Sequence, residues 1–336
     1  MTETLPIKGR YMAAELQEAT SVFCNSASQT IGAGLRDLKI DGARAIYTIA
    51  RGSSDAAANI LSYEFMRELG IPVTSLPPSV YSVGQGVSMM DAIGLVISQS
   101  GASEDLVRAT QGVRDARGKV AAITNVAGSS VEGAADVTLS IGAGEEKAVP
   151  ATKTVIGSVA AGLALLAALK PEYAQRLAAS VSQFSSVGNL SLNEHSTLKA
   201  ALLRARHVYV VGRDTGFGAS HEIALKVKET CAIHAEAYSA SEVLHGPLQL
   251  ATNPLTVLVL DTGAPGTTES IENAVARFTK AGAEVHRVSA THAGLLPAAA
   301  AAALLRHVYP VILDVALELG LDPDAPVTLS KVTVTR

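Results

Sequence analysis

The sequence predicts an α/β protein built from two copies of one domain, each a parallel sheet between helices. Short β-branched runs alternate with helix patterns along most of the 336 residues, which is typical of parallel sheets covered by helices. Residues 45–76 and 207–238 align without a gap at a shift of 162 positions, each reading as strand, Gly/Ser/Thr turn, helix and short strand. The same shift carries Ile93–Ser98 onto Leu255–Leu260, which extends the repeat to a further strand.

The remaining elements follow in chain order. Lys119–Thr124 and Glu284–Ser289 are nearly in register as later strands of the two copies. An amphipathic helical segment from about 10 to 38 is expected before the first copy, and a partly helical linker between the copies. Pro323 and Pro326 prevent the tail from continuing the last helix, so the tail is expected to lie extended over another part of the protein or to be disordered. We divide the chain into an N-terminal helical segment at 1–39, a first domain at 40–170, a linker at 171–199, a second domain at 200–320 and a tail at 321–336.

The composition excludes several classes of protein. Hydrophobic residues make up 48% and charged residues 17%, which predicts large cores and an oligomer that hides part of the surface. A net charge of −4 with 4% aromatic residues and no Trp argues against nucleic acid or an acidic membrane as partner. The start MTETLP does not resemble a secretory signal. The uncharged run from Thr154 to Leu169, rich in Ala and Gly, is too short to span a bilayer and predicts a buried helix. We therefore expect a soluble, cytoplasmic protein.

Metal and nucleotide cofactors are not expected. The only cysteines, Cys24 and Cys231, form no CxxC and no Cys/His spacing typical of zinc. The chain has no GxxxxGK[ST] motif, and no GxGxxG follows its first strand, which argues against a nucleotide-hydrolysing P-loop and against a dinucleotide site.

An anion site is predicted at the carboxyl ends of the first sheet, where ligands of such sheets bind. Three loops there are rich in small hydroxyl residues: Gly52-Ser53-Ser54, Ser98-Gln99-Ser100-Gly101-Ala102-Ser103 and Thr124-Asn125. Hydroxyls together with free N–H groups at a helix start form a phosphate site without cations. Any one of these serines could equally be a helix cap, but three such loops at one edge favour a phosphate site.

The second copy lacks this pattern and carries charges instead. If residues 217–231 are helical, Glu222, Lys226 and Glu229 lie on one face of the helix. Acid, base and cation together are typical of proton-transfer chemistry. Spacing alone also allows an exposed face with an ordinary Glu222–Lys226 ion pair. The interpretation favoured here is that one copy holds the anion while the other supplies the chemistry.

Five separated motifs occur in the order in which one known family carries them. They are ISQSGASEDL at 97–106, EIALKVKE at 222–229, IHAEAY at 233–238, LHGPL at 244–248 and LSKVTVTR at 329–336. On these motifs the chain resembles the sugar isomerase (SIS) domain family, and within it the isomerase half of glucosamine-6-phosphate synthases. The resemblance extends from Arg10-Tyr11-Met12 to the C-terminus.

The resemblance implies two flavodoxin-like domains in a homodimer with shared active sites and a phosphosugar substrate. Glu229 would move a proton between C1 and C2, and His245 of a neighbouring subunit would open the sugar ring. Glu222, Lys226 and the tail Lys331 would complete the catalytic set, and in the synthases the tail lysine forms a Schiff base with the ketose. The phosphate would be held by Gly52, Ser53, Ser54, Ser98, Gln99, Ser100 and Ser103, and the sugar contacted by Val149 and Ala151.

Several departures from the synthases bear on the reaction. The chain starts Met1-Thr2 and has no glutaminase domain, so glutamine is not expected as nitrogen donor and deamination of glucosamine 6-phosphate to fructose 6-phosphate and ammonia is favoured. Leu244 replaces a lysine, Ala151 a hydroxyl residue, and Arg51 a residue that is often small. These departures leave open a galactosamine-6-phosphate deaminase, a fructosamine-6-phosphate deglycase and, as another class, a non-catalytic sugar-phosphate sensor.

Overall fold

The chain forms two parallel β-sheets covered by helices, which confirms the predicted α/β class. The computed structural model describes residues 7–32, 34–291 and 294–331. The first sheet contains β1 (Ala45–Ile49), β2 (Val73–Ser75), β3 (Ala92–Ser98), β4 (Lys119–Thr124) and β5 (Val137–Ser140). The second contains β6 (His207–Gly212), β7 (His234–Ser239), β8 (Thr256–Asp261) and β9 (Glu284–Ser289). Their strand orders are β2-β1-β3-β4-β5 and β7-β6-β8-β9, so the first four strands of both sheets share one topology and confirm the repeat.

The constant shift of 162 is wrong by one residue at the third strand. Ile46 pairs with Ile93 in the first sheet, and its counterpart Val208 pairs with Thr256 in the second. Ile46 and Val208 are 162 positions apart, whereas Ile93 and Thr256 are 163 apart. The connection into β8 is therefore one residue longer than the connection into β3, and loop length is a feature that strand periodicity does not report.

The helices surround both sheets. Their bounds are α1 (Arg10–Ala27), α2 (Ser53–Leu69), α3 (Ser79–Ser82), α4 (Glu104–Asp115), α5 (Ser130–Gly133), α6 (Lys153–Leu169), α7 (Pro171–Ser186), α8 (Leu192–Arg204), α9 (Thr215–Cys231), α10 (Thr268–Ala281) and α11 (Pro297–Glu318). The N-terminal helix is shorter than predicted: it ends at Ala27, and only 3₁₀ turns at Leu35–Leu38 and Ile40–Gly42 follow. Gly34, with a φ of 115°, has a backbone conformation that an α-helix does not contain.

Two apolar helices form the centre of the core. The uncharged run predicted as a buried helix is α6, whose residues 153–166 are all buried. The helix α11 is long and apolar enough to cross a membrane by length and composition alone, but 83% of its apolar 18-residue stretch is buried inside the protein. Its alanines Ala298–Ala303 are all buried, and small side chains there allow neighbouring elements to approach closely. Both helices are therefore packed as core helices of the folded chain.

Close packing between the two copies brings their loops together. The helix α2 of the first copy packs against α9 of the second. A Cβ atom at Gly218 would lie 2.5 Å from the backbone nitrogen of Ile60, so any larger residue at 218 would force the helices apart. The N-terminus of α2, which carries the first hydroxyl loop, thereby reaches the charged face of α9.

The tail lies over the start of α1, as one of the two predicted alternatives required. The Asp324 carboxylate accepts hydrogen bonds from the backbone N–H groups of Tyr11 and Met12, both at 2.9 Å. Asp322 accepts one from the N–H of Gly9 at 3.1 Å. These carboxylates satisfy donors that a helix N-terminus leaves free and complement its dipole. These contacts hold the tail against the start of α1 at Asp322 and Asp324; residues 332–336 lie outside the described part of the chain.

Candidate active site

A buried ion cluster lies on one face of α9, as predicted. The side chains of Glu222 and Lys226 are 0% exposed and that of Glu229 is 25% exposed. The Lys226 ammonium lies 3.4 Å from Glu222 Oε1 and donates to Glu229 Oε2 at 2.5 Å and to Ser53 Oγ at 2.8 Å. The alternative of an exposed Glu222–Lys226 pair is therefore wrong. One ammonium joins two carboxylates of the second copy to the first hydroxyl loop of the first.

Glu222 accepts a hydrogen bond from a residue that the sequence analysis did not identify. The Tyr309 hydroxyl, on α11, donates to Glu222 Oε1 at 3.0 Å, while Glu222 Oε2 is buried and has no hydrogen-bond partner in the described structure. The available signal was a phenol in a largely apolar helix, since a buried tyrosine hydroxyl usually finds a polar partner. Tyr309 thus positions Glu222, which in turn faces Lys226.

The electrostatics of the cluster follow from its burial. Burial raises the pKa of the Glu222 carboxyl from 4.5 to about 7, against the lowering effects of Lys226 and of hydrogen bonds from Tyr309 and Ser53. Burial lowers the pKa of the Lys226 ammonium, but the two facing carboxylates outweigh it and the net shift is upward. Lys226 therefore stays cationic at neutral pH, while Glu222 exchanges its proton near neutrality.

A pH-dependent stability follows from the Glu222 carboxyl. Between pH 4.5 and 7 the folded chain retains a proton that the unfolded chain has lost, so this stabilisation is complete below pH 4.5 and disappears as pH rises through 7. We expect wild type to lose about 3 kcal/mol relative to Glu222→Gln over this range. Urea denaturation at several pH values measures the difference. Glu269→Gln, at an exposed glutamate of α10, is the matched control, and parallel pH curves for wild type and Glu222→Gln would contradict the assignment.

A cavity of about 180 Å³ opens beside the cluster at the carboxyl edge of the first sheet. Its lining combines the first hydroxyl loop, the loop before α6, the α9 face and the tail: Arg51, Ser53, Ser54, Val149, Ala151, Glu229, Leu329, Ser330 and Lys331. Six of these residues were predicted as site residues from the sequence, and Arg51 was noted as a departure from the family. A larger cavity of about 810 Å³, lined by His207 and His234 among others, lies at the amino ends of the second sheet's strands, opposite the edge where ligands of such sheets bind.

The tail lysine is already held at this cavity. Lys331 Nζ donates to Glu146 Oε2 at 3.1 Å and to the Ala148 carbonyl at 2.7 Å. The Glu146 side chain is fully buried and also accepts from Thr152 N at 3.0 Å and from Thr154 Oγ1 at 2.7 Å. Glu146 is a second residue that the sequence reading missed, because nothing local distinguishes it from the neighbouring Glu145. It fixes the end of Lys331 beside Val149 and Ala151.

The second hydroxyl loop, after β3, is ordered by its own hydrogen bonds. Ser98 Oγ accepts from Gly101 N at 3.1 Å, and Ser100 Oγ accepts from Ala102 N at 3.4 Å. The Gln99 carbonyl accepts from Asn125 N at 3.1 Å. Ser103 stands at the N-cap position of α4, and its side chain makes no capping hydrogen bond there. Capping therefore does not account for Ser103, and the hydroxyl protons of Ser98 and Ser100 remain able to bind an acceptor.

The other loop residues have structural roles. Gly52, with a φ of 54°, forms the turn that starts α2. The Thr124 hydroxyl donates to Glu132, and the Asn125 side chain bonds Gly144 O at 2.7 Å and Ala143 N at 2.9 Å. The third loop does lie beside the second at this edge, since Thr124 pairs with Ser98, but its polar groups already support neighbouring residues.

His245 is not among the described residues that line the cavity. It ends a 3₁₀ helix at Glu242–His245 and is exposed. The part of the chain that the structure describes contains no cluster of three or more His, Cys, Asp or Glu side chains that could hold a metal ion.

Comparisons with known proteins agree with the repeat and the topology. The SIS domain family model matches residues 39–168 and 201–308. A glutamine–fructose-6-phosphate aminotransferase (isomerizing) of Pyrobaculum aerophilum is 32% identical over an alignment that covers 97% of this chain and 57% of that protein. The chain spans about half the length of the curated relatives it matches, 57%, 41% and 50% for three of them.

Solved structures share the fold over nearly the whole chain. A protein of Silicibacter pomeroyi, described provisionally as a phosphosugar isomerase, has a TM-score of 0.81 and 29% identity, covering 95% of this chain and 100% of its own. A glucosamine-6-phosphate deaminase of Thermotoga maritima has a TM-score of 0.72 and 20% identity, covering 97% and 100%; at that identity the likeness shows the fold alone. With both copies of the repeat matched by the family model, the chain belongs to the SIS domain family.

Proposed function

We propose that this protein is an amino-sugar phosphate isomerase acting as a deaminase, which converts glucosamine 6-phosphate to fructose 6-phosphate and ammonia. The observation that carries the proposal is the cavity at which the first hydroxyl loop, Glu229 and Lys331 meet, with the buried Lys226 bound to both Ser53 and Glu229. Hydroxyl groups, a carboxylate and the Lys331 ammonium thereby line one small space, and the buried Lys226 ammonium bonds two of the lining residues. Family membership and the provisional phosphosugar isomerase assignment of the Silicibacter pomeroyi protein support the same class of reaction.

The proposed reaction uses these groups in sequence. The hydroxyl loops hold the phosphate, which positions the reacting carbons. After the ring opens, Glu229 removes the C2 proton of the aldehyde, and the resulting enolamine receives that proton at C1. The product of this transfer is an imine at C2; water adds there and ammonia leaves, giving fructose 6-phosphate. Lys226 keeps the Glu229 carboxylate oriented, and Lys331 lies where it could stabilise the developing oxygen charge.

Ring opening is assigned to a second copy of the chain. An imidazole suits this step because its ordinary pKa allows it to accept and donate a proton near neutral pH. His245 is exposed and does not belong to the described cavity lining of its own chain. We therefore propose a homodimer in which His245 of the partner subunit completes each site.

Release of ammonia by the purified protein tests the proposal. Glucosamine 6-phosphate, galactosamine 6-phosphate and a fructosamine 6-phosphate are supplied in parallel, and ammonia and fructose 6-phosphate are measured. We expect both products from glucosamine 6-phosphate and none with Glu229→Gln. Release from only one of the other sugars would keep the chemistry and change the substrate. Binding of all three without ammonia from any would move the protein to the class of sugar-phosphate sensors.

A further inference from the structure

Arg51 joins the two hydroxyl loops through an ion pair. It directly follows β1, and its Nε donates to the carboxylate of Asp105 in the first turn of α4. The strands β1 and β3, which precede the two loops, are neighbours in the first sheet. The pair thus spans the sheet edge between the loops. The Asp105 side chain is only 2% exposed, whereas that of Arg51 is 47% exposed and lines the active-site cavity.

The ion pair leaves one edge of the guanidinium available. One carboxylate oxygen of Asp105 accepts from the Nε–H of Arg51, and the other oxygen accepts from Leu106 N at 2.9 Å. Within the described residues, the two terminal amino groups of Arg51 have no hydrogen-bond partner. A guanidinium fixed through Nε presents these two amino groups in the spacing that matches two oxygens of a phosphate. Because the Arg51 side chain is anchored before any ligand arrives, little rotamer freedom is lost on binding.

The Ser53 hydroxyl of the first loop is less available than the sequence suggests. Ser53 Oγ accepts from Lys226 at 2.8 Å, and a hydrogen bond of the Ser53 side chain lowers the pKa of Glu222. The third loop contributes no free hydroxyl, since Thr124 donates to Glu132. A phosphate dianion at this edge therefore meets fewer neutral donors than three hydroxyl loops would provide, and a cation becomes important for holding it.

The internal repeat supplies a comparison within the same chain. Arg213 stands 162 positions after Arg51, at the corresponding place behind β6. Its guanidinium donates to Ser239 Oγ at 2.9 Å and also to Ser241 Oγ. Arg213 thus uses a terminal amino group within its own domain, whereas Arg51 keeps both terminal groups beside the cavity.

We propose that Arg51, oriented by Asp105, is a cationic ligand for the phosphate of the substrate and determines preference for phosphorylated over neutral sugars. Asp105 acts as a positioning residue for the guanidinium. The identity of the sugar rests on the proposed function, but the binding of a phosphate group by Arg51 does not. Arg51→Gln removes the charge from a half-exposed side chain, and Asp105 keeps its hydrogen bond from Leu106 N in the first turn of α4, where the helix dipole stabilises a carboxylate, so the fold is expected to tolerate the change.

Binding of inorganic phosphate, measured by calorimetry on the purified full chain, tests this assignment. We expect Arg51→Gln to weaken phosphate binding by about 10- to 100-fold, because a charge-assisted bidentate contact is lost. Arg51→Lys should recover only part of the affinity, since a lysine ammonium keeps the positive charge but does not present two N–H groups in the spacing of two phosphate oxygens. Asp105→Asn should fall between wild type and Arg51→Gln. The matched control Arg213→Gln should leave phosphate affinity within about twofold of wild type, which is a smaller change than the loss of one hydrogen bond to the phosphate would cause.

Two outcomes separate this proposal from the proposed function. If Arg51→Gln loses phosphate binding while wild type releases no ammonia from any sugar, the role of Arg51 as phosphate ligand would stand and the deaminase function would be ruled out. If wild type releases ammonia and a folded Arg51→Gln variant has an unchanged KM and unchanged phosphate affinity, the deaminase function would stand and the role of Arg51 as phosphate ligand would be overturned. Failure of wild type to bind inorganic phosphate, together with an unchanged KM in Arg51→Gln, would also overturn it.

Discussion

Glu229→Gln is expected to lower turnover of the amino-sugar phosphate by about three orders of magnitude while leaving its binding within a few-fold. Glutamine keeps the size of the side chain and can still accept from Lys226, which donates to Glu229 Oε2 at 2.5 Å. It cannot remove a proton from C2. The hydroxyl loops and Arg51 do not depend on the charge at position 229, so phosphate binding should persist.

The measurement has two parts, ammonia release under saturating substrate and substrate affinity by calorimetry. Exchange of the sugar C1 or C2 hydrogen with solvent deuterium, followed by NMR, gives a third readout that only a proton-transferring base affects. Glu269→Gln, at an exposed glutamate on α10, should match wild type in all three. Equal loss of binding and turnover in Glu229→Gln would contradict the assignment of Glu229 as the base.

The fold was predictable because its signals are local. Apolar runs of strand length and the helix pattern between them predicted both sheets, and Lys119–Thr124 and Glu284–Ser289 are strands with those bounds. The two errors concern connections. The N-terminal helix ends at Ala27, and β8 is displaced by one residue relative to a constant shift. Glycine conformation and loop length decide both features, and neither leaves a periodic pattern in the sequence.

In the candidate active site, too, the sequence predicted the local features and did not predict the long-range contacts. The common face of Glu222, Lys226 and Glu229 follows from helix geometry, so spacing predicted it. Its burial did not follow, because burial depends on α2 and α11, which pack against α9 from elsewhere in the chain. Tyr309 is 87 positions from Glu222, Lys331 is 185 positions from Glu146, and Arg51 is 54 positions from Asp105. Pairings of this kind arise only when the chain folds, and one sequence carries no local trace of them.

Lys226→Met is expected to abolish activity and to destabilise the fold by about 3 kcal/mol at pH 8. Methionine fills much of the same space but donates no hydrogen bond. Glu222 then lies fully buried without a cation, and Ser53 and Glu229 lose the ammonium that joins them. Glu222 avoids a buried charge only by keeping its proton, which costs about 1.4 kcal/mol for each pH unit above its ordinary pKa.

This cost gives the variant a characteristic pH dependence. In wild type the Glu222 contribution stops changing above pH 7, near the pKa of its folded-state carboxyl. In Lys226→Met the carboxyl stays protonated to higher pH, so the loss of stability relative to wild type should grow by about 1.4 kcal/mol per unit above pH 7. Denaturation curves at pH 7, 8 and 9 measure this growth, and a constant difference would refute it.

Two further variants separate the buried charge from the loss of a side chain. Lys228→Met changes an exposed lysine two residues along the same helix and should leave both stability and activity near wild type. The double variant Glu222→Gln with Lys226→Met contains neither buried charge, so the growth of the loss above pH 7 should disappear and part of the stability should return. Activity should not return with it, because Glu229 still lacks the ammonium that orients it. Recovery of turnover in the double variant would mean that Lys226 serves the fold and not the reaction.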